Sequence, residues 1–152
     1  MKHFLVIAVA FLVVAACSKD NFDSSPTLKI KEATPEEIPV NGSLFVILEF
    51  TDKEGDVYSR GDSTLVIIRQ RLNVRGPIID SSVRYPVPEF PEKTKGELQV
   101  TIPYSGGLTL RMNPISLPGN QREIDTLRLG FVLKDQGGNK SDTAYTTVYV
   151  TR

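Results

Sequence analysis

Alternating apolar and polar residues recur along most of the chain, and this period of two predicts β-strands. Clusters of Gly, Pro, Asn and Asp separate the alternating segments, as turns between strands require. No segment keeps the helical period over several turns. The pattern therefore predicts about seven strands, at residues 28–31, 44–50, 65–74, 97–102, 108–112, 124–133 and 143–151.

The alternation also predicts which face of each strand points into a core. Phe45 and Ile47 fall on the face opposite to the other apolar residues of 44–50, so we expect this strand to be covered on both sides. Ala144, Val148 and Val150 share one face of the last strand, and Tyr145 and Tyr149 share the other. The residues expected in the core are Leu44, Val46, Leu48, Phe50, Leu98, Val100, Ile102, Leu127, Leu129, Phe131, Leu133, Ala144, Val148 and Val150.

A proline-rich segment, residues 75–96, interrupts the alternation. A segment of this length without regular structure is often functional, and prolines hold it extended. In that case Tyr85 and Phe90 are displayed to a protein or glycan partner. The alternative is a crossover that packs both rings onto the edge of the fold, with residues 78–79 and Val83 in a further strand.

Strands of this number and spacing, with no helix between them, favour an all-β fold. The expected architecture is a single antiparallel β-sandwich of immunoglobulin-like type. A small β-barrel is the alternative. The strands occupy residues 27–152, which form one domain that is long enough to bury a core.

The N-terminal segment follows a different pattern. Lys2 supplies a positive charge, and an unbroken apolar run follows over residues 4–16. This run is too short to cross a bilayer as a helix, which needs about 20 residues. A charged start, a short apolar core and the small residues Ala15 and Ala16 before Cys17 are typical of a secretory signal peptide, residues 1–16.

The segment Val14-Ala15-Ala16-Cys17 resembles the lipobox of a bacterial lipoprotein signal. The resemblance implies cleavage before Cys17 and lipidation of that cysteine with a diacylglycerol and an acyl chain such as palmitate. Two or more chains hold a protein firmly on a membrane. Residues 17–26 would then be the lipidated cysteine and a flexible tether.

The residues that follow Cys17 are similar to an export signal. Ser18-Lys19-Asp20 resembles the lysine-plus-acid stretch that Bacteroidetes-type lipoproteins carry when they are exported to the cell surface. Asn21 stands where that stretch has a further acid. The resemblance implies a lipid-anchored outer-membrane protein exposed at the cell surface, with a periplasmic orientation as the alternative.

Composition excludes several classes of function. The 18 basic and 18 acidic residues balance, so nothing indicates a nucleic-acid partner. The only histidine, His3, lies in the signal segment, which leaves the domain no Ser-His-Asp site and no histidine-ligated metal. The only cysteine is the predicted lipid attachment, so no disulfide is expected. We therefore expect a protein that is not an enzyme, with a carbohydrate-active enzyme using carboxylates alone as the remaining alternative.

Two acidic turns, residues 51–56 and 135–142, are the best candidates for a binding site. A hard cation such as calcium needs about six to eight oxygens, which the carboxylates, amides and carbonyls of short acidic turns supply. The spacing differs from that of an EF-hand loop, and ordinary turn chemistry is the alternative explanation. The candidate calcium ligands are Asp52, Glu54, Asp56, Asp135 and Asn139.

Both turns resemble those of immunoglobulin-like and cadherin-like domains in bacterial surface lipoproteins. Those domains often carry an acidic Gly-Asp turn, here Gly55-Asp56, and a final hairpin with an Asp-x-x-Gly-Asn-x-Ser pattern, here residues 135–141. The resemblance implies a lipid-anchored binding or adhesion module with a protein or polysaccharide ligand. The alternative is a structural subunit of an outer-membrane nutrient-uptake complex.

Overall fold

A computed structural model describes residues 24–58, 65–73 and 81–152. Cys17, the predicted signal segment and residues 78–79 lie outside these ranges. The described chain is all-β, as the alternation predicts, and no helix within it is long and apolar enough to cross a membrane. The strands are β1 (Thr27–Thr34), β2 (Glu37–Ile38), β3 (Ser43–Thr51), β4 (Leu65–Arg71), β5 (Ser81–Tyr85), β6 (Lys95–Pro103), β7 (Ser116–Leu117), β8 (Gln121–Arg122), β9 (Asp125–Leu133) and β10 (Ala144–Val150).

The longer strands form two sheets. The first is antiparallel and has three strands in the order β1-β3-β6. The second has five strands in the order β2-β10-β9-β4-β5, and its pairs are antiparallel except that β2 runs parallel to β10. β7 and β8 pair with each other as a short hairpin.

A single hydrophobic core takes side chains from both sheets. The residues expected in the core are buried, except that Leu98 and Ala144 are partly buried and pack against it. The face assignments of β3, β6, β9 and β10 are therefore confirmed. Burial of apolar surface contributes about 25 cal/mol per Å², so this shared core is the main source of stability.

The outer face of β3 is open, contrary to expectation. Phe45 is 44% exposed and Ile47 is half-buried, so the prediction that this strand is covered on both sides is wrong. An antiparallel sheet can pack one face on the core and leave the other in water. The apolar residues on the outer face are therefore compatible with a strand that is covered on one side.

Residues 108–112 do not form the predicted strand. Tyr104–Leu108 makes a π-type turn with Gly106 at φ 76°, and Arg111 follows at φ 60°. Both are left-handed conformations, which interrupt an extended strand. Leu108 is nevertheless fully buried, so its apolar side chain contributes to the core from a loop.

Arginine side chains from β4 and from the C-terminal end hold this loop through its main-chain carbonyls. These contacts come from residues remote in sequence, so the local pattern of apolar residues cannot predict them. The hydrogen-bonded pairs are Arg69 with the Gly107 carbonyl, Arg71 with the Asn113 carbonyl at 2.9 Å, and Arg152 with the Met112 carbonyl at 3.0 Å.

The proline-rich segment contains a strand. Residues 81–85 form β5, which pairs with β4 from Leu65 opposite Tyr85 to Arg69 opposite Ser81. Val83 therefore lies in a strand, as the crossover alternative proposes for this residue. β4 itself ends at Arg71 rather than at residue 74.

Candidate cation site

The loops that follow β3 and β9 meet at one end of the fold. The Gln136 N–H donates to the Asp56 carbonyl at 3.2 Å, and this bond joins the two loops. The Asp52 N–H donates to the Thr94 carbonyl, just before β6, at 2.8 Å. As a result, Asp52, Asp56 and Asp135 each place a carboxylate oxygen within 4.8 Å of the others. We call these three residues the acidic cluster.

Burial distinguishes the acidic cluster from an ordinary acidic surface. Asp52 is 1% exposed, Asp135 is 3% exposed and Asp56 is half-buried. The Oδ1 atoms of Asp52 and Asp56 are buried and accept no hydrogen bond. Within the described part of the chain, no Lys or Arg forms an ion pair with any of the three. Keeping a carboxylate charged in a buried site costs on the order of several kcal/mol unless a partner compensates the charge.

Hydrogen bonds hold two of the three carboxylates, those of Asp52 and Asp135, in place. Asp52 Oδ2 accepts a hydrogen bond from the Asp56 N–H at 3.0 Å. Asp135 accepts two from Asn139, one from the main-chain N–H at 2.7 Å and one from Nδ2 at 2.8 Å. Such side-chain bonds to a nearby backbone are common in Asp turns. They leave the Oδ1 atoms of Asp52 and Asp56 available to a cation.

Electrostatic repulsion within the cluster acts on Asp56. Burial, followed by the negative charges of Asp52 and Asp135, raises the pKa of Asp56 above its ordinary value of 3.8. A raised carboxyl pKa means that the charged form is disfavoured unless a proton or a cation compensates it. Oxygen ligands of this kind are those that calcium takes, in a flexible geometry at about 2.3–2.6 Å.

The other two predicted ligands have different positions. Asn139 lies beside the cluster, bonded to Asp135, and its Nδ2 also donates to the Ser24 carbonyl at 3.2 Å. Glu54 is exposed and is not one of the three clustered carboxylates. The structure thus brings together Asp52, Asp56 and Asp135, places Asn139 next to them and leaves Glu54 outside.

The two aromatic residues singled out for partner binding pack against the core. Tyr85 and Phe90 are both partly buried there. The Phe90 ring centroid lies 6.0 Å from that of Phe50 and 5.7 Å from that of Tyr58. A role for Tyr85 and Phe90 in binding a partner stays a prediction.

A buried ion network lies at the start of β9, at positions where the sequence pattern alone predicts apolar side chains. Asp125 is fully buried, and its Oδ2 accepts hydrogen bonds from Arg71 Nη2 at 2.9 Å and from Arg152 Nε at 2.6 Å. Asp125 shares the core-facing register of Leu127, and Arg71 shares that of Ile67. Charged residues at core-facing positions were the signal that could have revealed the network.

The chain is distantly similar to solved structures of two other proteins. No family model matches the sequence, and no curated protein matches it. The chain is similar in structure to Spo0M, a sporulation control protein from Bacillus subtilis, with 10% identity and a TM-score of 0.47 over 86% of this chain and 51% of that chain. It is also similar to a beta-glucosidase from Listeria innocua, with 14% identity and a TM-score of 0.40 over 85% of this chain and 16% of that chain. Likenesses at these TM-scores, to proteins that the chain spans only in part, carry no argument about function.

Proposed function

We propose that this protein is a lipid-anchored, non-enzymatic binding module of the cell envelope whose acidic cluster holds calcium. The observation that carries the proposal is the set of three carboxylates within 4.8 Å, two of which have a buried oxygen that accepts no hydrogen bond. A divalent cation would neutralise the repulsion and satisfy both oxygens at once. Ordinary turn chemistry, in which Asp side chains accept hydrogen bonds from the nearby main chain, is the competing explanation.

Calcium suits this site better than magnesium. Calcium takes about six to eight oxygens in a variable geometry, whereas magnesium requires a nearly ideal octahedron and keeps several waters. The acidic cluster draws its carboxylates from two loops that extend different sheets. Main-chain carbonyls of the same loops and water would complete the coordination shell.

The two sheets are proposed to form an immunoglobulin-like sandwich. The consecutive strands β1 and β2 belong to different sheets, and β2 joins the last strand in parallel. Both sheets contribute to one core, as the two layers of a sandwich do. Such a scaffold carries loops at both of its ends. The acidic cluster lies in the loops at one end.

The anchor would be Cys17, which places the domain at the outer membrane on a short tether. The lipobox-like segment before Cys17 and the lysine-plus-acid stretch after it support this location. A domain held in this way would offer its loops to a protein or polysaccharide ligand at the cell surface.

Calorimetric titration of the membrane-extracted protein with calcium and with magnesium tests the cation site. We expect calcium to bind at a single site and magnesium to bind more weakly. Asp52→Asn should weaken calcium binding by about tenfold or more. Glu54→Gln, which changes an exposed carboxylate in the same loop, should bind calcium as the wild type does. Absence of calcium binding, or an equal loss in both variants, would overturn the assignment.

A second candidate function is a structural subunit of an outer-membrane uptake complex. The observation that favours it is β6, a strand of nine residues that pairs only with β3 among the described strands. The free side of an edge strand offers main-chain groups that a partner strand can join. A pull-down from detergent-solubilised membranes separates the two functions, because only a subunit should bring down other membrane proteins in stoichiometric amounts.

A further inference from the structure

The chain enters the domain beside the acidic cluster. β1 begins at Thr27, which pairs with Thr51 at the end of β3, and the two Oγ1 atoms are 2.5 Å apart. Asp52 of the cluster is the next residue after Thr51. The segment that leads into β1, residues 24–26, therefore lies within a few residues of the proposed cation ligands.

A chain of hydrogen bonds connects this segment to the cluster. Asp135 holds Asn139 by two bonds, from the main-chain N–H and from Nδ2. The same Nδ2 atom donates to the carbonyl of Ser24 at 3.2 Å. The position of the Asn139 amide, and with it the contact to Ser24, thus depends on the position of the Asp135 carboxylate.

We propose that calcium in the acidic cluster fixes residues 24–27 on the domain through Asp135, Asn139 and Ser24. This inference rests on the proposed cation site and adds a role for it. Without the cation, the three carboxylates repel one another, and the loop that carries Asp135 and Asn139 relaxes away from Ser24. With the cation, Asp135 is held, and the Asn139 amide stays in reach of the Ser24 carbonyl.

The proposed link would affect the distance and orientation of the domain relative to the membrane. If Cys17 carries the lipid, a fully extended chain from Cys17 to Ser24 spans at most ~25 Å. The point where the chain enters the domain, beside the acidic cluster, therefore stays within about that distance of the lipid. Calcium would shorten the free part of the tether and restrict the orientations of the anchored domain.

Hydrogen–deuterium exchange of the membrane-extracted protein tests the inference, with calcium or EDTA added and calcium binding measured in parallel. For the wild type, we expect calcium to slow exchange in the peptide that covers residues 24–28 by about tenfold. Asn139→Ala, measured at a calcium concentration that saturates this variant, should lose this slowing. Lys140→Ala changes the exposed neighbour in the same loop. This variant should keep both calcium binding and the slowing of exchange at residues 24–28. Unchanged exchange in the β9 peptide verifies that each variant is folded.

The outcomes separate the two proposals. If the wild type does not bind calcium, the cation site is wrong and this inference fails with it. If the wild type binds calcium but exchange at residues 24–28 does not slow, only the link to the tether is overturned. Slowing that persists in Asn139→Ala would also overturn the link, and so would loss of calcium binding in that variant, because Asn139 would then belong to the site itself.

Discussion

The carboxylate of Asp52 accepts a hydrogen bond from the main-chain N–H of Asp56 at 3.0 Å. This bond closes the loop after β3 and brings the two carboxylates within 4.8 Å of each other. The Oδ1 atom of each is buried without a hydrogen-bond donor. The loop is therefore held in a form that concentrates negative charge, and this charge is the basis of the first prediction.

Asp56→Asn should stabilise the cation-free protein at neutral pH. The pKa of Asp56 is raised in the folded state above its ordinary value of 3.8. The favourable contribution of this carboxyl to stability is therefore complete below the ordinary value and is lost as pH rises through the folded value. In EDTA, the variant should melt a few degrees above the wild type at pH 7, and the difference should shrink toward pH 4. Thermal melts from about pH 4 to pH 8 measure it.

The control for this prediction is Glu54→Gln, which changes an exposed carboxyl and should show no such pH-dependent gain. In calcium, the wild type should have the higher melting temperature, because Asp56→Asn lacks one of the proposed calcium ligands. A difference in melting temperature that does not vary with pH would contradict the account.

Asp125→Ala should destabilise the fold strongly. The substitution leaves the buried guanidinium groups of Arg71 and Arg152 without their shared carboxylate. Breaking a buried ion pair in this way costs about 3–5 kcal/mol, which urea denaturation measures. Asp142→Ala, at an exposed position in the loop after β9, should change stability by about 0.5 kcal/mol or less. Equal changes in the free energy of unfolding for the two substitutions would show that the buried network does not stabilise the fold.

Gly96→Ala should be costly because of Phe50. A Cβ at residue 96 would lie 2.8 Å from both Cε1 and Cζ of the Phe50 ring, which is 2% exposed and packed in the core. Overpacking of this kind costs about 1–3 kcal/mol. In a double-mutant cycle, Phe50→Leu should relieve the clash, so that the double variant is more stable than the sum of the single effects predicts. Additive effects would contradict the proposed contact.

Cys17→Ala should release the protein from membranes. Without the cysteine there is no attachment point for lipid, and the predicted anchor is lost. Labelling with radioactive palmitate, followed by separation of membrane and soluble fractions, measures both effects. Ser18→Ala should remain labelled and membrane-bound. A Cys17→Ala protein that still fractionates with membranes would mean that another feature holds it there.

The alternation of the sequence predicted the long strands and their buried faces because one side of each strand packs on a shared core. The same rule failed at residues 108–112, where Leu108, Leu110 and Met112 alternate but arginines from distant positions hold the main chain in a loop. The two-residue strands β2, β7 and β8 are too short to show a period. Only tertiary pairing defines them.

The acidic cluster was predictable in part. Asp52 and Asp135 each follow an apolar strand, which places them at strand ends where loops meet. The position of Glu54 was not predictable, because the conformation of the loop decides it, including the left-handed Gly55 at φ 74°. The role of Asn139 as a partner of both Asp135 and Ser24 likewise depends on a contact between remote parts of the chain.

Thermal melting of the wild-type protein in calcium and in EDTA tests the central claim most directly. A cation bound only by the folded state at about 100 times its dissociation constant adds roughly 2.7 kcal/mol of stability. For a domain of this size, the melting temperature should therefore rise by several degrees in calcium. An identical melting temperature in calcium and EDTA would contradict the account and leave ordinary turn chemistry as the explanation of the acidic cluster.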